Sequence, residues 1–561
     1  MVLRTAGLVL LFAVVPVAEA EEEISTTPVE CSISVMLLGS MGFQMLLFYL
    51  VNWPDRDIRK YSWRVISQTI SIFCAVLLFQ GFNGLVEVYI IEGGSPLWEV
   101  GVDMMQLVVW LTALQVVLAV TSGAIQEMIG GGEPDMEKVE LRVKSWSVLF
   151  AHLAGFSAIN AWGSLQQKVF PSSPLVSFAV VPIGFVGLFV MYHGYDNVRE
   201  HIAHMDDGEK DEFEHLWDEE TQEAEEDVAG LSLSFLTVQT VRYHISGHLP
   251  NQEGIEEWAL SISHSSTQCQ ELLGCGAIFF ACSLIPLLLE NALHARIHKM
   301  SHAKQEWVKR VVETLNNFFT FANAWCFFYG VKWALSATQF TEENGLLSVV
   351  LALLLSAIAF VLIFVLDKIA DNQLLGEDSE LADTATEKLI TALGILIGFS
   401  WEQSFDTAVG VVAASMKESC PPPVSKLLMS ILLVAIVFPA WRLYILKTEQ
   451  ELSADDCEEK ELLKEFAHQH RELFMNGDME EHHLDLAHLK LKHQRRKAHG
   501  HAHPSALVGP SGEPLKHYRV TAHGVEEVIE SEPPAPKKKS GGHRKELSVH
   551  LLPKEITGRP H

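Results

Sequence analysis

The stretch LLSVVLALLLSAIAFVLIFV, residues 346–365, runs for twenty residues without a charged side chain. As a helix rising about 1.5 Å per residue it covers about 30 Å, the thickness of a bilayer's hydrocarbon. It has no apolar-polar alternation of the kind a barrel strand needs, and in lipid every amide must bond within its own segment, so it reads as a spanning helix. Similar runs cover Ser32 to Val51, Val65 to Ile91, Leu97 to Val120, Ser145 to Gln166, Leu175 to Tyr195, Leu272 to Ala292, Val311 to Leu335, Lys388 to Ala413 and Leu427 to Ile445. Hydrophobic residues make up 48% of the 561, so a bundle of apolar helices is the fold that this composition describes.

Basic residues in short loops set the orientation. Arg56, Arg59, Lys60 and Arg64 follow the first span, while residues 92–96 contain none, so the first span runs from lumen to cytosol. Arg296, Lys299, Lys304, Lys309 and Arg310 form a second cytosolic loop. Ten spans cannot satisfy both loops. The chain must cross once more between them, and residues 229–249, AGLSLSFLTVQTVRYHISGHL, supply the crossing despite Arg242. A charge in a span costs about 3 kcal/mol on insertion scales, so such residues face protein and serve function.

Four spans carry a phenylalanine with an amide four residues later: Phe79 and Asn83, Phe156 and Asn160, Phe319 and Asn323, Phe399 and Gln403. INAWG at 159–163 matches ANAWC at 322–326, and PSSPLVSF at 171–178 resembles PPPVSKLL at 421–428. Asn83 to Asn323 is 240 residues and Asn160 to Gln403 is 243, which describes a duplication. The corresponding loops are cytosolic in both halves, so the repeats are parallel, with an axis along the membrane normal. The expected fold is therefore an all-α polytopic membrane protein of about eleven transmembrane helices, or ten if 229–249 does not span, in two parallel internal repeats built from two-helix hairpins.

The organisation that follows is a signal peptide at 1–20, a first membrane repeat at 21–195, an acidic cytosolic loop at 196–228, a polar connector helix at 229–249, a second membrane repeat at 270–446 and a cytosolic tail at 447–561. Residues 1–20 combine Arg4, an apolar core and an Ala18-Glu19-Ala20 exit, the layout of a cleaved secretory signal. This places the protein in the secretory pathway or plasma membrane, with a lumenal or extracellular N-terminus and a cytosolic C-terminus. Fifteen acidic residues between Asp196 and Asp227 argue against nucleic acid or anionic lipid as partners there. They read as a solvated helix or a disordered arm, with a cation-attracting loop as the sharper alternative. The tail is amphipathic, then disordered, and holds fourteen of the twenty-five histidines. Cys31, Cys269 and Cys420 fall on the lumenal side, where one disulfide could form.

Amides in hydrocarbon need partners. The bland role is helix glue worth roughly 1 kcal/mol each; the sharper role is a polar path. Carboxylates accompany them: Glu87 lies one turn beyond Asn83, while Glu402 and Asp406 share a helical face around Gln403. Asn83, Glu87, Asn160, Asn323, Glu402, Gln403 and Asp406, with Arg242 as counter-ion, are therefore the candidate path for a small cation or polar solute in a transporter or channel. The alternative is a non-transporting scaffold or sensor whose acidic loop and His-rich tail recruit soluble partners. His294, His298 and His302 share a helical face, a weaker metal candidate set among basic residues. No catalytic triad, phosphate loop or HExxH pattern occurs in a supporting context, so neither an enzyme nor a cofactor is expected.

Overall fold

The computed structural model describes residues 28–125, 136–205, 210–297, 302–337, 344–371, 379–454, 483–485, 517–521 and 524–528. The proposed signal segment lies outside them, as do the side chains of His294, His298 and His302. Residues up to Asp456 and those from Cys457 onward form two separate units.

Within its described residues the first unit is all-helical. The helices are α1 (Pro28–Val51), α2 (Arg56–Val86), α3 (Pro96–Ser122), α4 (Met136–Lys168), the short α5 (Pro174–Phe178), α6 (Val180–Ala203), α7 (Glu212–Ser246), the one-turn α8 (Trp258–Ser261), α9 (Ser266–Ile297), α10 (His302–Ser336), α11 (Asn344–Asp371), α12 (Ser379–Ser415) and α13 (Pro422–Ala440). π-helical turns extend α2 through Glu87–Ile91 and α13 through Trp441–Leu446. Local chemistry sets the ends. Asp55 Oδ1 caps α2 by accepting from Asp57 N, and Ser95 caps α3 ahead of Pro96 and Gly123 ends it at φ +92°.

Among the described residues, eight segments are long and apolar enough to cross a membrane; they comprise α1, α2, α3, α4, α5 with α6, α9, α11 and α13. The remaining long helices, α7, α10 and α12, are more polar. Large apolar side chains stand exposed on outer helices, among them Leu37, Leu38 and Phe48 of α1, Phe185, Phe189 and Val190 of α6, and Leu432 and Ile436 of α13. Such surface suits a membrane-embedded protein rather than one bathed in water.

Helices α2, α4, α7, α10 and α12 form an inner ring whose successive members pack together. Their side chains supply most of one core, including Phe79, Phe156, Phe235, Trp325 and Phe399. All five run in the same direction, because their early residues meet at one end of the bundle. Lys60 of α2 pairs with Glu387 of α12 at 2.5 Å. Lys144 of α4 pairs with Glu220 of α7 at 3.5 Å, and Arg310 of α10 with Glu225 of α7 at 2.9 Å.

The acidic stretch does not form a loop separate from the connector helix. Residues 212–246 are one continuous helix, opened by a capping box between Asp211 and Glu214, so no boundary falls at 228. Its first half is helical, one of the two forms expected, but one face is packed and ion-paired while Glu212, Glu219 and Glu223 stay exposed. Glu225 is fully buried, and its carboxylate receives Arg199 and Arg310 at 2.9 Å and Gln115 Nε2 at 2.9 Å. Arg199 also pairs with Asp196 and Asp218. Lys144 holds the Glu223 carboxyl below the usual range, while burial lifts Glu220 to about 7 against the pull of Lys144.

In the second unit, the tail read as disordered contains three short antiparallel strands, His483–Asp485, His517–Thr521 and Gly524–Val528, in that order, with Val520 opposite Val525. Of the three cysteines expected to offer one disulfide, Cys269 and Cys420 are free thiols, and the side chain of Cys31 lies outside the described residues.

Candidate functional site

The inner ring encloses a cavity of about 210 Å³. The three polar helices supply its charged helical residues: Arg242 from α7, Lys332 from α10, Glu402 and Asp406 from α12. Such helices are costly against lipid, and here the apolar helices surround them. Gln80 of α2, Asn160 of α4, Gln403 and Thr407 of α12, Ser261 of α8 and Ser348 of α11 add neutral polar groups to the lining.

Glu402 is fully buried, and neither carboxylate oxygen has a hydrogen-bond partner. Gln80 Oε1 and Asn160 Oδ1 are likewise buried without partners. Asp406 pairs with Lys426 of α13 at 2.6 Å. Gln403 Oε1 accepts from Lys332 Nζ at 3.3 Å. Aromatic side chains Phe79, Phe156 and Phe399 form apolar wall, Phe156 stacking on Phe399 with ring centroids 6.0 Å apart.

The four motif amides do not close a ring. Asn160 Nδ2 donates to Asp103 Oδ1 at 3.0 Å and to Asn83 Oδ1 at 3.4 Å, and Asn83 Nδ2 donates to Glu87 Oε1 at 2.9 Å. These groups make a polar chain between α2, α3 and α4, in which Asn160 also reaches the cavity. Asn323 instead faces α9, where a Cβ added to Gly276 would lie 3.5 Å from its Oδ1. The reason is α7, which packs between α4 and α10 and takes up the space a direct contact of those two motif helices would fill.

Arg242 is not the counter-ion of Glu402 and Asp406. Its Nη2 pairs with Glu256 at 2.6 Å, its Nη1 donates to Gly254 O at 3.0 Å, and its guanidinium lies 3.6 Å over the Tyr329 ring. Glu256 Oε2 also accepts from Trp333 Nε1 and meets His264 Nε2, each at 2.9 Å, while His264 stacks on Trp333. Burial alone would raise the Glu256 carboxyl, but Arg242 beside it and the His264 hydrogen bond hold it down at about 2.

This network fastens the segment after α7 across the end of the cavity. Gly247 ends α7 at φ +79°, and the chain turns back so that Gln252 to Glu256 line the cavity. Asn251 Oδ1 accepts from Glu253 N at 3.1 Å and Ile255 N at 2.6 Å, an Asx turn that sets the loop. Gly254, at φ +78°, has no substitute, since a Cβ there would collide with the Tyr329 hydroxyl and reach Phe235. Glu253 sits among Glu87, Asp406 and Lys426. Burial, reinforced by the Glu87 carboxylate, lifts its carboxyl to about 7 against the pull of Lys426.

No family model matches the chain, and no curated protein or solved structure matches it either.

Proposed function

We propose that the protein is a multi-pass membrane transporter or channel whose solute passes through the inner-ring cavity. The observation that carries this reading is the set of buried acceptor oxygens without donors: Gln80 Oε1, Asn160 Oδ1 and both oxygens of Glu402. Buried polar atoms without partners cost free energy, so four of one chemical kind around one cavity favour a visiting donor or cation. The charged lining points the same way, with Glu253, Glu256, Glu402 and Asp406 set against Arg242 and Lys332. A small cation or a polar solute carrying positive charge is the proposed cargo.

The proposal includes eleven spanning helices in two parallel repeats, an N-terminus on the lumenal or extracellular side and a C-terminus in the cytosol. Support comes from the common direction of the ring helices and from the basic residues gathered at the starts of α2, α4 and α10, which belong in the cytosol. Helix α7, at 35 residues, is about 50 Å long and reaches across hydrocarbon of about 30 Å. The loop bearing Glu253 and Glu256 would then close the cavity toward the lumen.

Thiol blockade tests the path. A Gln403→Cys chain in proteoliposomes, treated with a membrane-impermeant methanethiosulfonate, should lose most of its solute uptake, and the transported solute should slow the modification. Uptake that continues unchanged when mass spectrometry shows the introduced thiol fully modified removes the cavity from the path.

A further inference from the structure

The cavity's unmatched groups are sorted by sign. The acceptor oxygens without donors sit on α2, α4 and α12, in Gln80, Asn160 and Glu402. The donors lie on α7 and α10. Lys332 Nζ has three hydrogens and, among the described residues, a 3.3 Å hydrogen bond to the neutral amide oxygen of Gln403. Arg242 Nε, buried at the same cavity, has no acceptor even though the rest of its guanidinium is engaged. Gln403 faces α10 through its bond to Lys332. Glu402, the next residue back on the same helix, is turned about 100° away from it.

A bare metal ion would satisfy the acceptors but leave the lysine without a counter-charge, and a carboxylate alone would do the reverse. A molecule carrying an ammonium and a carboxylate a few bonds apart satisfies both. The lining also has an apolar part, to which Phe79, Phe156 and Phe399 contribute rings. The volume of about 210 Å³ is below the roughly 300 Å³ at which drug-sized ligand pockets begin.

On this basis we infer that the cavity binds a small zwitterion of the neutral amino-acid type, its ammonium on Glu402, Asn160 and Gln80 and its carboxylate on Lys332. The inference rests on the reading of the cavity as a solute site and names the class of that solute. Binding is measured without any transport step, so the two can fail separately.

The experiment uses the full-length protein purified into nanodiscs, with glycine, L-alanine, L-leucine, L-phenylalanine and glycine betaine as probes in equilibrium binding. Each probe that binds is compared with its matched amine and matched carboxylic acid, such as isoamylamine and 4-methylpentanoate for leucine. At least one zwitterion should bind saturably, with its amine and acid counterparts at least tenfold weaker. Glu402→Gln and Lys332→Met, each checked for a monodisperse elution profile, should weaken the zwitterion tenfold or more. The unmodified protein alone decides the matter if a variant fails to fold. An amine that binds within threefold of its zwitterion overturns the inference, as does the failure of all five probes. Cation uptake without zwitterion binding would keep the path and discard this ligand class. Zwitterion binding without uptake would keep the ligand and discard the path.

Discussion

Replacing Glu256 by glutamine removes the charge that neutralises Arg242 while nearly preserving shape. Arg242 is 1% exposed, and Glu256 is bonded to it, to Trp333 and to His264. A carboxyl held at about 2 instead of 4.5 marks a favourable interaction of about 3 kcal/mol, at ~1.36 kcal/mol per pH unit. Breaking a buried ion pair by losing one partner costs about 3–5 kcal/mol, which agrees. Since the lost bonds fasten residues 250–256 across the cavity, the cost should appear as local opening of that loop. Hydrogen exchange at Gly254 and Ile255, whose amides donate to Asn251, should quicken roughly 100-fold, the equivalent of ~3 kcal/mol. The sign with pH follows from the depressed carboxyl. The stabilisation is fully present above about 4.5 and is lost as pH falls toward 2, so acid should open the native loop whereas the glutamine variant is already open at neutral pH. Exchange at these amides changed less than threefold would refute the assignment of Arg242 and Glu256 as the loop's fastening.

Gly254→Ala should destabilise by roughly 2–5 kcal/mol, combining a left-handed backbone penalty of ~1–2 with overpacking of ~1–3 against Tyr329 and Phe235; thermal unfolding followed by tryptophan fluorescence measures it. Glu253 has a raised carboxyl near 7, so the folded chain holds an extra proton between about 4.5 and 7 and loop protection should fall as pH rises through that window. A Glu253→Gln chain should show a flat profile there once intrinsic exchange is corrected. Glu225→Ala leaves Arg199 and Arg310 without their shared buried carboxylate and should cost about 3 kcal/mol, read as a lowered melting temperature and proteolysis near residue 210.

Apolar runs announce helices directly, because lipid leaves the backbone no other way to satisfy its amides. That is why Leu346–Val365 and its counterparts could be placed from the sequence as helices. The acidic run of α7 misled because charge counting assumes water around each carboxylate. Its partners, Arg199 at the end of α6 and Arg310 near the start of α10, are distant in sequence and meet it only after packing. Arg242 was recognised as protein-facing, but its partner Glu256 lies in a polar loop with no periodicity to mark it. Lys332, Lys426 and Gln80 belong to no sequence motif, and only packing brings them to the cavity or to its carboxylates. The four-fold amide pattern led to the cavity through Asn160 and Gln403. It could not reveal that α7 would enter between α4 and α10 and leave Asn323 against α9.

Uptake into proteoliposomes decides whether the cavity carries solute, comparing the native chain with Glu402→Gln/Asp406→Asn across alkali cations, protons and small labelled zwitterions. The native protein should take up at least one of these saturably, and the double variant should lose tenfold or more at equal incorporation and unchanged melting temperature. Equal uptake by both chains, or none by a native protein that is folded and monodisperse, would contradict a solute path through the cavity.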